Sequence, residues 1–361
     1  MMAVLLTALY VSSITGADTN GGTAVSPLKS ILKASEIARP GTTVHVAPGT
    51  YPGGFRTTTS GTAAAPIRYV SEVKWGARIV PPLSGGGDKA WDNRGSHVVI
   101  DGFEIDGSLA GGGDPWLFGV YTSGASSVVQ NMKVHDIATT PAAMSLADTG
   151  QGGAGIMADS WTGGTDITVT GNEVYRIGPA TRSSGLVHGV YMATSGVVQN
   201  NLVYQIAGDG ISSWHDATNL TIANNTVFQV RGAGILIGSG NHYHGNAPND
   251  HRRVSNNIVY DSRKGIEERG SVGLNNSFVN NLVYGNRRNW RLWNGSRSGS
   301  IQADPKFVDY RKEGGGNYRL TENSPAIDAG IPEDSAAVDF DGVPRPQGEG
   351  LDIGAFERVV P

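Results

Sequence analysis

Cysteine is absent from all 361 residues, which excludes disulfides, thiolate metal sites and a thiol nucleophile. That absence fits the cytosol and an exported bacterial protein equally. Charge is also sparse: 17% of residues are charged, against about 25% in typical soluble domains. The net charge of −4 argues against a nucleic-acid partner, which calls for a basic surface. No apolar run reaches the ~18 residues of a membrane span, so no membrane partner is expected. Met1 to Ala8 is apolar but short and lacks a basic leading region, so it reads as the remnant of a signal peptide. Glycine, by contrast, is abundant: 52 residues, roughly double the usual ~7%. The glycines follow no three-residue period, which excludes collagen, and 39% hydrophobic residues suffice for a core.

The organising signal is an internal repeat. Its first half is an Asn pair before a short β-rich run, as in Asn200-Asn201-Leu-Val, Asn224-Asn225-Thr-Val, Asn256-Asn257-Ile-Val and Asn280-Asn281-Leu-Val. Its second half is a glycine leading a strand, as in Gly119-Val-Tyr, Gly155-Ile-Met, Gly189-Val-Tyr, Gly210-Ile-Ser, Gly234-Ile-Leu and Gly265-Ile-Glu. Successive Asn pairs are 24, 32 and 24 residues apart. Such a unit cannot bury its own apolar face, so units must stack. Several short strands in 24 residues fit one rung of a parallel β-helix. Asn recurring at one corner can form a hydrogen-bonded ladder and tolerates the left-handed backbone of a tight corner. The leucine-dense consensus of leucine-rich repeats is missing, and the rungs are too short for propeller blades. The fold class is therefore all-β, a single-domain parallel β-helix.

The ends read as caps. Residues 1–50 comprise an N-terminal cap and the first strands, with a helix expected to open at Ser26-Pro27 and to carry a Leu28, Ile31, Leu32 stripe. Residues 51–304 form the rungs, and 305–361, rich in Pro and Asp, form a segment packed over the last coils and along the side. Long loops fall at 107–118, 138–153, 176–187 and 239–252. Three of them immediately precede a glycine strand, so they should wall a groove.

Two stretches carry a resemblance. The first runs through Gly21-Gly-Thr23, Pro27-Leu-Lys29-Ser-Ile31, Pro40-Gly41-Thr-Thr-Val44 and Pro48-Gly-Thr50-Tyr51. It resembles the opening of right-handed parallel β-helix proteins, and is most similar to the family 9 polysaccharide lyases and their relatives. The second, Asp339-Phe-Asp341-Gly342, Arg345 and Asp352-Ile-Gly354-Ala-Phe-Glu357, resembles a tail on many secreted bacterial β-helix proteins. The resemblance implies a right-handed coil, a carbohydrate-active role, an acidic polysaccharide or oligosaccharide partner and a secreted or cell-surface location. It departs at the site. Asp209-Gly210-Ile-Ser212-Ser213-Trp214 aligns with the lyase segment that carries calcium-binding aspartates, but Ser212 and Ser213 supply no carboxylates. Leu236 stands where the family's lysine base would be, so the chemistry has to come from this chain's own residues.

If the Ile or Val after each glycine faces the core, the next position faces outward, and that position with its flanks across the rungs gives one column: Tyr121, Met157, Asp159, His188, Tyr191, Asp209, Ser212, Trp214, Leu236, Lys264, Glu267, Arg269, Arg291 and Trp293. Rungs stack about 4.8 Å apart, so three rungs can act on one sugar. For β-elimination on a uronate glycan, Arg269 and Lys264 would neutralise the carboxylate. His188 would be the base and Tyr191 the acid, with Asp209 orienting His188; Lys264 is the variant base. Tyr121, Asp159, Trp214, His215, Glu267, Arg291 and Trp293 would bind substrate. Calcium would replace the cations if Asp209, Asp216 and Glu267 converge. The competing readings are a glycoside hydrolase using Asp159, Asp209 and Glu267, and a glycan-binding protein without catalysis. Glu268 is expected to point inward. The loop His242-Tyr243-His244 and His251-Arg252-Arg253 matches no strong zinc spacing.

Overall fold

A computed structural model describes residues 7–108, 112–245 and 248–359. Met1–Leu6, most of the segment read as a signal remnant, lies outside them. Ala8–Val11 is already a strand.

The chain winds as a β-helix of three parallel sheets, of eleven, nine and nine strands. One rung shows the plan. Gly196–Gln199 lies in the eleven-stranded sheet, Leu202–Ile206 in the second and Asp209–Ser213 in the third. The third, here called the glycine sheet, contains Val187–Ala193, Asp209–Ser213, Ala233–Ser239 and Lys264–Gly270 as consecutive parallel neighbours. This is the order the repeat predicts. Val190, Ile211, Ile235 and Ile266 stand in register and are wholly buried, each contributing about 1.5–3 kcal/mol by leaving water. The glycine before each marks a close approach. A Cβ on Gly210 would lie 2.6 Å from the Gly234 carbonyl oxygen and 2.7 Å from Val227.

The second Asn of each pair forms the ladder. Asn172 Nδ2 donates to Asn201 Oδ1, Asn201 to Asn225, Asn225 to Asn257 and Asn257 to Asn281, each at 2.9 Å. The first Asn takes the left-handed corner, with φ of 53° at Asn200 and 54° at Asn224 and Asn256. Its side chain turns outward to the C-terminal segment. Asn200, Asn224, Asn256 and Asn280 donate to the carbonyls of Val338, Asp352, Ile331 and Ala329.

That segment lies along the side of the coil. It covers an aromatic file on the second sheet, in which Tyr175, Tyr204 and Phe228 stack at 5.0 and 4.9 Å, with Tyr318 and Tyr310 against Phe228. The tail motif locks on itself. Arg345 pairs with Glu357 at 2.6 Å, and Asp339 accepts from the backbone of Asp341, Val343 and Glu357.

The N-terminal helix departs from expectation. It spans Ile31–Ile37 with Ser30 as its cap, not Ser26. Leu28 exchanges backbone hydrogen bonds with the first strand, its amide donating to Tyr10, so Pro27-Leu28 is extended. Asp18 accepts from the Ser30 amide and hydroxyl, which fixes the later start. Ile31 and Ala34 are buried, while Leu32 faces solvent. Among the described residues no helix is long and apolar enough to cross a membrane.

Candidate functional site

The glycine sheet is flanked by long loops on both edges. Residues 138–152 and 178–186 enter strands Gly153–Asp159 and Val187–Ala193, whereas 240–252 leaves Ala233–Ser239. The fourth loop therefore walls the opposite edge rather than joining the other three. Residues 109–111 of the first loop lie outside the described residues.

Between these walls, His188 and Asp209 are register partners in adjacent strands. Nδ1 of His188 lies 3.8 Å from Oδ2 of Asp209. Both atoms are buried without a hydrogen-bond partner, although Asp209 Oδ1 accepts from the Ala233 amide at 2.7 Å. The orienting hydrogen bond expected from sequence is thus not closed here. Burial, only partly opposed by Asp209, pushes the His188 imidazole down to about 4, below the near-neutral value its residue type suggested.

Tyr191 shares the strand, its ring 4.6 Å from that of His188. Burial, with the nearby Tyr243 hydroxyl and Asp159 and Asp209 carboxylates, raises its phenol well above the ordinary value. It therefore keeps its proton at neutral pH. His215 stacks on Tyr243 at 4.0 Å and passes Nδ1–H to the Asn241 carbonyl. Burial lowers its pKa, leaving it neutral and committed to the loop. Tyr243, which sequence reasoning left inside an undifferentiated loop, also meets Trp161 edge-on at 5.0 Å. Asp216 holds that loop down. Its carboxylate accepts from the Tyr243 amide, from His244 Nδ1 and from the Ser160 hydroxyl at 2.9, 2.7 and 2.8 Å.

Two rungs along, Glu267 is fully enclosed by three cations. Lys264, Arg269 and Arg291 approach its oxygens at 2.8, 2.8 and 2.7 Å. Burial would raise this carboxyl, but the Lys264 hydrogen bond and the Arg269 charge hold it below its ordinary value. The cations themselves reach solvent, with Arg269 and Arg291 about two-fifths exposed. Arg269 also points toward Asp209, 3.6 Å from Oδ2. Three positive charges on one carboxylate leave the cluster cationic.

The remaining expected residues divide. Tyr121 hydrogen-bonds Asp159, whose other oxygen accepts from the Trp161 amide. Both side chains are buried and occupied by this exchange. Trp214 lies over Gly238 and Gly240, where any Cβ would strike its ring, so it is a packing wall. Trp293 is exposed and carries Arg291 over its face; Trp161 is the second exposed plate and was missed. Glu268 points inward as expected, accepting from the amides of Trp293, Asn294 and Gly295.

The residues do not fit a calcium cage. Asp216 and Glu267 spend their oxygens on separate partners, Asp209 offers only Oδ2, and Ser212 and Leu236 are buried beside them without a carboxylate. Among the described residues only Asp106, His135 and Asp136 bring ligand atoms together. That cluster lies on the second sheet, and Arg78 and Arg176 already neutralise it.

The chain is similar to solved structures across nearly its whole length. These include pectate lyase Pel9A (TM-score 0.66, 17% identity, covering 97% of this chain and 96% of that one) and a rhamnogalacturonan lyase (0.53, 16%, 85% and 91%). A glycoside hydrolase is a third (0.55, 10%, 82% and 96%). At these identities the likeness is one of fold. No curated protein matches the chain, and residues 14–56 match a family described as a protein of unknown function. Residues 83–303, more than half of the chain, match the right handed beta helix region, and the chain belongs to that family.

Proposed function

We propose that this protein cleaves a uronate-containing polysaccharide by β-elimination in the groove over the glycine sheet. The observation that carries the reading is the buried, unpartnered His188–Asp209 pair beside a proton-bearing Tyr191 and a net-positive cluster. β-Elimination needs a neutralised carboxylate, a base for the C5 proton and an acid for the departing oxygen. Arg269, with Lys264 and Arg291 behind it, supplies positive charge where the enolate-like intermediate develops.

His188 is neutral at neutral pH and so can accept a proton. With Nδ1 turned to Asp209, Nε2 is the nitrogen that takes it. A uronate bound nearby adds negative charge and draws the imidazole value upward, and the 3.8 Å gap to Asp209 closes as the ring becomes cationic. Catalytic hydrogen bonds are often long before substrate binds. Tyr191 then protonates the leaving oxygen.

Elimination is favoured over hydrolysis by the state of the carboxylates. Glu267 is locked as a counter-ion and Asp159 is held by Tyr121, which leaves no free acid–base pair of the kind a glycosidase uses. Neighbours named as lyases support the substrate class. The test is incubation with polygalacturonate, rhamnogalacturonan and alginate while ultraviolet absorbance reports the unsaturated product. Reducing ends without that absorbance would assign a hydrolase. Binding without either product would assign a glycan-binding protein.

A further inference from the structure

Outside that groove, the shoulder between the second sheet and the glycine sheet carries an arginine file. Arg231, Arg263 and Arg287 occupy one position in three successive rungs. Their amides donate to the carbonyls of Ile206, Val230 and Ser262, each in the rung before. All three side chains are exposed. Arg231 donates to the Ala180 carbonyl, while Arg263 and Arg287 have no ion pair among the described residues. For a chain of net charge −4, three aligned arginines on one edge are a local excess.

Arg231 and Arg263 border a groove of about 860 Å³. Its floor includes Gln205 and Gln229, which point outward because their backbones are left-handed, with φ of 56° and 52°. Gln205 Oε1 is buried there without a hydrogen-bond partner. The groove's acids are engaged by neighbours. Asp261 Oδ2 accepts from Gln229 and Tyr310, both at 2.6 Å. Asp136 is held by Arg176, and with His135 this keeps its carboxyl down to about 2 against the opposing effect of burial. The floor thus offers amides for hydroxyls, and the edge offers cations at the ~4.8 Å rung spacing.

We infer that this shoulder is a second binding site for a carboxylated glycan chain, laid along the helix axis and distinct from the groove over the glycine sheet. An extended polyuronate presents one carboxylate per sugar, which suits a file of one cation per rung. Arg263 directly precedes Lys264, so the file borders the cationic cluster and a chain held here lies beside the other groove. The nature of the occupant rests on the uronate reading; the position of the site does not.

The test uses His188→Ala protein, so that no substrate is consumed, and measures polygalacturonate affinity by calorimetry. Adding Arg263→Gln and Arg287→Gln should weaken binding about tenfold, equivalent to about 1.4 kcal/mol, with an unchanged melting temperature because both side chains are exposed. The weakening should shrink as salt rises. Unchanged affinity in the double variant would overturn the inference. So would equal dependence on the arginines with carboxyl-reduced polymer, or tighter binding of a single-stranded DNA oligonucleotide. If the arginines govern polygalacturonate binding but the wild type yields no unsaturated product from any uronate polymer, the second site stands and the elimination reading falls.

Discussion

His188 Nδ1 and Asp209 Oδ2 face one another at 3.8 Å, both buried and neither hydrogen-bonded. A gap this size between complementary groups is poised to close when the imidazole gains a proton. His188→Ala should therefore abolish most turnover while leaving the circular dichroism spectrum and glycan affinity nearly intact. Asp209→Asn should lower kcat with a smaller change in KM, since it removes stabilisation only of the protonated ring. A His188 variant with wild-type kcat would hand the base role to Lys264.

The same histidine makes stability pH-dependent. Its folded-state value of about 4 lies below the ~6.5 of an unfolded histidine. As pH falls, the unfolded chain takes the proton first. The contribution of keeping His188 neutral is therefore complete above about pH 6.5 and disappears between there and about pH 4. Urea melts at the two ends of that window should show a steeper loss for wild type than for His188→Gln.

Tyr191→Phe removes only the phenolic proton. A loss of about 10²–10⁴-fold in kcat is expected if Tyr191 is the general acid, without a change in melting temperature. The defect should shrink on a substrate with a better leaving group, a dependence that a packing role would not produce.

Glu267→Gln separates the two enzyme readings. The carboxylate is wholly enclosed by Lys264, Arg269 and Arg291, so its removal leaves mutually repelling cations; because these reach solvent, the loss of stability should be about 1–2 kcal/mol. A hydrolase using Glu267 as an acid would in addition lose nearly all turnover, whereas an elimination enzyme keeps part of it. Calorimetric melts beside activity assays distinguish the outcomes.

The ladder and the corner residues should respond differently. Asn225 accepts from the Asn201 amide and side chain and donates to Val198 and Asn257. Asn225→Ala strands several buried groups and should cost about 3 kcal/mol or more, at roughly 1–3 kcal/mol each. Asn224→Ala loses a single bond to the tail and sets alanine at a left-handed corner with φ of 54°, at a cost of about 1 kcal/mol, and should speed proteolytic release of the C-terminal segment.

The rungs were legible because one residue type recurs at one corner: the Asn pairs and glycine strands gave the register of Val190, Ile211, Ile235 and Ile266. Alternation also placed Glu267 and Arg269 on one outward face and Glu268 inward, while Lys264 joins them from the start of the strand. What stayed hidden depends on side chains brought together across loops. Nothing local marks Tyr243 as the plate over His215, or Asp216 as the anchor of its loop. The helix start moved to Ser30 because backbone hydrogen bonds from Leu28 to Tyr10 and from Ser12 to Leu28 outweighed an adequate cap at Ser26.

The outward Asn of each pair gives the C-terminal segment the character of a ruler. Four rungs present an amide at the same corner, and the carbonyls of Val338, Asp352, Ile331 and Ala329 meet them one by one. A coil built from near-identical turns could otherwise lengthen or shorten by whole turns with little local penalty. Here a duplicated or deleted turn among these rungs would throw the strap out of step with its marks, so the strap fixes how many turns lie between Asn200 and Asn280.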